Sequence, residues 1–291
     1  MARHLPDLVV AEPSTPEELA DVVTQFGRSG IGTIGVAGGD GTIREVLTAL
    51  ARHEGGYRPD IALIPAGRTN LASLALGSAE PGPTGLLHLC DVLRTGTARR
   101  IMVPVLDIAW PGGEHPDVRG LLFGAAAFRA ATELANRRIH RFGLNDRAVI
   151  TATLSLTVLA LLCGRGGTMR RGVRMIVATD EGQAEEGKRF MLLATSLQRF
   201  LPGLSPFWGE GEGRLRWLDV AAPPRRLATA LLPTLRGRPR PWMAEAGYRS
   251  GRAGRMRLWL DKPFIVDGEP YPAGSDGILL SCTECVGFVS P

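Results

Sequence analysis

Apolar positions in the first hundred residues follow two alternating periods. In STPEELADVVTQFGRSG (14–30), Leu19, Val22, Val23 and Phe26 fall at i, i+3, i+4 and i+7 and mark one helical face. Thr15 stands as the N-cap, Pro16 at the first helical position and Glu18 at the third, a capping box, and Gly27 and Gly30 end the helix. IGTIGVA (31–37) then reads as a strand covered on both faces. Ile43, Val46, Leu47 and Leu50 restore the helical period from about Ile43 to His53, and DIALIPAG (60–67) is another buried-type strand. NLASLALG and GLLHLCDVLRTG read as short helices parted by SAEPGPT. Strands joined by helices pair in parallel through right-handed crossovers, so this part predicts an α/β domain of the doubly wound type.

The pattern changes near residue 100. RRIMVPVLDIAW and GLLFGAAAF read as strands around the loop PGGEHPDV, and a helical block follows at about 128–163. VRMIVATD, KRFMLLATS, LRWLDVA, RMRLWLD, FIVDG and GILLSC are then short β runs divided by Gly, Pro and charge. They predict a second, mainly antiparallel, β-sandwich-like domain. The expected division is 1–103 and 104–291, with the C-terminal end able to pack back on the first domain. Residues 221–257 read as irregular and hold nine arginines, with Trp242 and Tyr248 among them.

Composition narrows the picture modestly. A chain of 291 residues suits one large or two moderate domains. The net charge is +5, and the only lysines are Lys188 and Lys262. A basic excess suits nucleotides, phospholipid surfaces or nucleic acid, or reflects composition alone. The opening MARHLPDLVV lacks the apolar core of a signal peptide, and the apolar stretch 149–164 is interrupted by Thr and Ser and is short for a span. A cytoplasmic protein is expected, at most peripheral at the inner face of the membrane. Cys282 and Cys285 form CTEC, a weak zinc signal without a second pair; strand residues in a reducing compartment are the plainer reading. The five histidines show no metalloprotease pattern.

The chemistry concentrates in GVAGGDGTIREVL (35–47). A strand feeding a glycine-rich loop and a helix places backbone N–H groups against a phosphate. The same letters also read as a plain helix start, because Thr42 and Glu45 form a T-x-x-E capping box and Gly-Asp-Gly is ordinary turn chemistry. The stretch lacks the P-loop lysine and the dinucleotide spacing. From the residues alone both readings stand.

GGDGT (38–42) resembles the signature loop of the diacylglycerol kinase, sphingosine kinase and ceramide kinase superfamily, most closely its bacterial lipid kinases. IPAGRTNLA (64–72) is similar to the family's second nucleotide loop, VPVLDIAW (103–110) to the strand opening its second domain, and FIVDGEPY (264–271) to its late D-G-E motif. NAD kinases share the G-G-D-G loop, but the spacing and the late D-G-E favour lipid kinases. The resemblance implies Mg²⁺-dependent transfer of the ATP γ-phosphoryl group to a lipid hydroxyl, between an α/β domain and a β-sandwich-like domain. Glu269 matches the family's proton acceptor, and Asp40 its loop aspartate, a second catalytic residue that orients or activates the hydroxyl or acts near the metal. Gly38, Gly39, Gly41, Thr42 and Ile43 match the phosphate loop, with Gly67, Arg68, Thr69 and Asn70 as the second nucleotide loop. Glu212, in WGEGEGRLRWL, stands where the family has a metal-associated Asp-Gly.

Each of these residues also has a bland role. Glu269 follows a D-G hairpin turn, Asp40 lies near a helix start, Asn70 suits a helix N-cap, and Arg68 and Glu212 suit exposed loops. Arg68 occupies the place of a family threonine and Leu71 that of an aspartate. The family's opening strand and N-P-x-x-G loop are not seen, so the chain reads as starting at the second strand, DLVVAEP, and lacking the first βα unit. The expected partners are a lipid with a free hydroxyl and, through the basic segment 225–257, an anionic membrane, with no nucleic acid. A non-catalytic nucleotide- or lipid-binding relative and an NAD kinase-like enzyme are the alternatives.

Overall fold

The computed structural model describes residues 8–53, 55–67, 70–133, 170–180, 182–198 and 204–291. Most of the helical block expected at 128–163 therefore lies outside the described residues, as do Arg68 and Thr69.

The first sheet has four strands: β1 (Thr33–Gly38), β2 (Asp60–Pro65), β3 (Arg99–Pro104) and, from the far end of the sequence, β15 (Cys285–Ser290). Their order is β1-β2-β15-β3, with β1 and β15 parallel to β2 and β15 antiparallel to β3. Helices cover both faces. On one face α1 (Pro16–Arg28) and α2 (Asp40–Arg52) bury Val23, Phe26, Ile43 and Leu47 against Ile34, Val36, Ile61, Leu63 and Phe288. On the other, Leu89 of α4 (Pro83–Thr95) meets Ala62 and Val289. The short α3 (Leu71–Leu76) follows the loop after β2.

Local signals explain most of these elements. Thr15 Oγ1 accepts the Glu18 amide at 3.2 Å, and the Glu18 carboxylate accepts the Ser14 amide at 2.6 Å, so the predicted cap of α1 forms with its return bond one residue early. The predicted cap of the second helix does not form. That helix begins at Asp40, and Gly39 is its N-cap with no side-chain bond. Thr42 lies inside the first turn and Glu45 turns to Arg44, which leaves the T-x-x-E box unmade. Residues 8–14 carry no strand, contrary to the reading of DLVVAEP. Val9 and Val10 are each 59% exposed, and β1 is the edge of its sheet.

The second sheet has eleven strands, almost all antiparallel to their neighbours. In chain order they are β4 (Leu106–Ala109), β5 (Val118–Gly120), β6 (Leu122–Ala126), β7 (Val173–Thr179), β8 (Glu185–Thr195), β9 (Leu215–Ala221), β10 (Tyr248–Ala253), β11 (Arg255–Leu260), β12 (Phe264–Val266), β13 (Glu269–Tyr271) and β14 (Ile278–Ser281). The main path runs β13-β12-β6-β8-β7-β11-β14-β4-β5, and β9 with β10 branches from β8. One core, including Leu106, Ile108, Phe123, Leu192, Met256 and Phe264, fills the curl of this sheet. A second core lies under α5 (Leu227–Leu235) and α6 (Trp242–Glu245), against Phe190, Leu193, Leu218 and Val220. Residues 221–257, read as irregular, therefore hold two helices and β10. Pro233 inside α5 and a surface contact limited to Ala230 and Thr234 hide its period.

The two sheets are joined through α2. Its Thr48 hydroxyl accepts the Arg119 amide of β5 at 3.0 Å, and Leu121 and Leu197 of the second sheet enter the core beneath α2. This seam brings the late D-G-E segment to the start of α2.

Candidate functional site

The two glycine loops predicted to hold a nucleotide meet backbone to backbone. The Ala66 amide bonds to the Gly38 carbonyl at 3.1 Å. A Cβ on Gly67 would stand 2.3 Å from the Gly39 Cα, and a Cβ on Gly38 would stand 2.5 Å from the Thr42 Cβ, so no larger residue fits either place without moving the chain. Asn70 closes the second loop, accepting from the Gly67 amide at 3.0 Å and donating to its carbonyl at 2.7 Å. Asn70 is left-handed, with φ 49°, and does not cap α3 with its side chain.

The cap of α3 comes instead from Asp40, thirty-one residues earlier. Its carboxylate accepts the Leu71 amide at 3.0 Å and the Ala72 amide at 2.9 Å. Burial raises the Asp40 pKa, and these two bonds oppose the rise. Asp40 thereby fastens the G-G-D-G loop to the loop after β2.

At the start of α2 the amides of Asp40, Gly41 and Thr42 have no partner among the described residues, as expected of a helix N-terminus without a side-chain cap. Ile43 differs from its four companions. Its amide is spent on the Gly39 carbonyl at 3.1 Å and its side chain is 2% exposed in the core, so it supports the loop from behind.

The D-G-E segment forms a tight hairpin over this helix start. Asp267 and Gly268 have φ of 47° and 92°, and Val266 pairs with Glu269 across the turn. The Glu269 carboxylate is exposed and lies 4.0 Å from where a Cβ on Gly41 would stand. Asp267 turns inward. Its carboxylate accepts the Leu121 and Leu122 amides, each at 2.9 Å, at the junction of β5 and β6. Burial, with the Asp40 charge adding to it, pushes its pKa up to about 7, against the pull of those bonds and of Arg44.

Arg44 is the residue that sequence reasoning passed over. One position beyond the apolar stripe of α2, it reads as solvated, yet it is 6% exposed. It pairs with Glu45, reaches the Val266 carbonyl at 3.5 Å and lies 5.6 Å from the centroid of the Tyr271 ring. It ties α2 to the hairpin that carries Glu269. Only the second sheet, far away in sequence, covers it.

The structure thus gathers Gly38, Gly39, Asp40, Gly41, Thr42, Gly67, Asn70 and Glu269 into one place. Glu212 is not gathered there by any contact. It sits exposed between Gly211 and Gly213, beside Arg252 and Ala253 at the end of β10. Among the described residues no group of three or more His, Cys, Asp or Glu is placed to hold a metal ion, and none of their helices is long and apolar enough to cross a membrane. Cys282 and Cys285 are free, and burial and Asp107 push the Cys282 thiol up to about 12.

Residues 2–104 match the model of the diacylglycerol kinase catalytic domain. The whole fold is similar to that of a diacylglycerol kinase from Bacillus anthracis str. Sterne, with a TM-score of 0.59 and 15% identity over 99% of this chain and 86% of that one. A candidate diacylglycerol kinase from the same organism matches at a TM-score of 0.61 and 16% identity, over 100% and 88% of the two chains. No curated protein sequence matches the chain. At these identities the structural likeness speaks for the fold alone. What is similar to the family in sequence is the first domain, residues 2–104, which holds both glycine loops; over the rest of the chain the likeness is one of fold.

Proposed function

We propose that the protein transfers the γ-phosphoryl group of ATP to the hydroxyl of a lipid, such as a diacylglycerol or a sphingoid or ceramide-like lipid. One observation carries this reading: an exposed carboxylate, Glu269, overhangs Gly41 at a helix start whose first three amides have no partner among the described residues. Free amides at a helix N-terminus favour phosphate, and a carboxylate beside them is placed to take a proton from an attacking hydroxyl.

In the proposed reaction the amides of Asp40, Gly41 and Thr42 orient the ATP phosphates, and the loop at Gly67–Asn70 holds the nucleotide on its other side. The acceptor oxygen attacks the γ-phosphorus, the bond to the β,γ-bridging oxygen breaks, ADP leaves, and Glu269 receives the hydroxyl proton. Asp40 keeps the two loops in register. Arg44 holds the hairpin of Glu269 against α2. Mg²⁺, where bound, neutralises charge on the β- and γ-phosphates. Such an ion would fill its shell chiefly from the phosphates and water, because both Asp40 carboxylate oxygens are engaged by the Leu71 and Ala72 amides and Glu269 is the proton acceptor.

The test is transfer from γ-labelled ATP to a bacterial lipid extract, with NAD as a separate acceptor. Glu269→Gln is expected to lower lipid phosphorylation by about 10²–10⁴-fold with unchanged thermal stability, since the side chain is exposed. Equal rates in the two proteins would remove Glu269 from the mechanism. Phosphorylation of NAD and not of lipid would replace the acceptor.

A further inference from the structure

A different part of the molecule carries a run of exposed cations with no carboxylate among them. Between Asp219 and Glu245 the chain has five arginines, Arg225, Arg226, Arg236, Arg238 and Arg240, and no carboxylate. All five are exposed, and among the described residues none of them is in an ion pair. Their inner neighbours behave otherwise: Arg189 and Arg249 share the buried Asp219 at 2.8 Å each.

The arginines flank an uncharged helix. α5, LATALLPTL, buries Ala230 and Thr234 and turns Ala228, Thr229 and Leu232 outward, with Leu232 54% exposed. At its start a concavity of about 600 Å³ lies among Arg170, Arg226, Leu227 and Trp242, and the Arg226 guanidinium stands 5.3 Å from the Trp242 ring centroid. At its end a second, of about 350 Å³, lies among Leu232, Pro233, Arg236 and Arg238. Nine helical residues separate the two arginine groups by about 13 Å, the reach of a few lipid headgroups.

We infer that this face docks the protein on a negatively charged lipid bilayer, with the arginines on headgroup phosphates and Leu232 entering between them. A run of exposed arginines with no carboxylate among them draws anionic partners to this face. An aliphatic ridge between the cations fits an interface that is anionic above and apolar below, whereas a nucleic-acid backbone offers nothing for Leu232. The inference rests on the charge and relief of this face, independently of which hydroxyl the kinase phosphorylates.

Co-sedimentation of the full chain with vesicles, without ATP, tests it. Binding is expected to vesicles containing phosphatidylglycerol, not to phosphatidylcholine alone, and to weaken with salt. Each arginine lost from the surface is expected to cost about fivefold in affinity, so Arg225→Glu, Arg226→Glu, Arg236→Glu and Arg238→Glu together should abolish it. Leu232→Asp, which keeps every arginine, is expected to weaken it about tenfold. Arg28→Glu with Arg99→Glu, exposed positions on the first domain, should leave binding within about twofold. Equal binding by the quadruple variant, equal loss in the first-domain pair, equal binding to neutral vesicles, or preference for duplex DNA at matched charge would each overturn the proposal. Circular dichroism checks folding, and Arg236→Gln with Arg238→Gln stands in if the quadruple variant does not fold.

Discussion

Asp40 and Asp267 occupy corresponding roles in the two halves of the site. Each has a glycine beside it, Asp40 at the first position of α2 and Asp267 in its hairpin turn, and each carboxylate accepts two successive backbone amides from a distant segment: Leu71 and Ala72 for one, Leu121 and Leu122 for the other. They differ in what they hold. Asp40 faces a helix start, where a negative charge is favoured and the half-buried Leu71, unlike Ala72 at 2% exposed, leaves its freed amide near water. Asp267 faces the junction of two strands, and its two donor residues are 2% and 6% exposed. The same device is thus a helix cap in one domain and an interior strut in the other. Both aspartates of the motifs serve as fasteners, whereas Glu269, beside Asp267, is exposed.

The largest expected effect separates the two. Asp267→Ala strands two buried donors and should lower unfolding stability by roughly 2–5 kcal/mol in a denaturant titration. Asp40→Ala uncaps α3 and should cost about 1–2 kcal/mol, with a larger loss in ATP affinity because the Gly67 loop is released. Equal stability losses would mean that the helix start is as sealed as the strand junction.

The smallest effect concerns their mutual repulsion. Because burial and Asp40 push the Asp267 pKa up to about 7, the native state binds the extra proton between pH 4 and about 7. Stability from this group is therefore full at low pH and lost as pH rises through that window. The stability advantage of the wild type over Asp267→Asn should narrow from pH 4 to about 7 and stay constant above. Adding Asp40→Asn to both proteins should move the midpoint to lower pH. An unmoved midpoint would show that the two carboxylates do not feel each other.

What the sequence disclosed was local. Thr15, Pro16 and Glu18 define the start of α1 because a cap needs only neighbours, and Asp267-Gly268 defines its hairpin because two positive φ angles favour those residues. The glycines at 38, 39 and 67 were legible as backbone loops with little room for side chains, though not the reason for Gly67, which is the Gly39 backbone against it. Long-range dependence hid the rest. The cap of α3 comes from Asp40, so Asn70, the residue of the right type in the right place, was the wrong choice. Arg44 looked solvated until the second sheet covered it. DLVVAEP has strand composition, but the described part pairs with nothing in the sheet. The contributions of Arg68 and Thr69 fall outside the described residues.

The place of β15 has a consequence for how the molecule is made. Synthesis delivers β1, β2 and β3 first, but β3 touches the sheet only through β15, and Phe288 and Val289 fill the cores on its two faces. As the nascent chain leaves the ribosome, its first domain waits with a strand-wide gap between β2 and β3 until residues 285–290 emerge. Domains usually fold in the order of their synthesis. Here the half that carries the G-G-D-G loop is the last to be sealed, so a product terminated before residue 285 would expose the facing edges of β2 and β3.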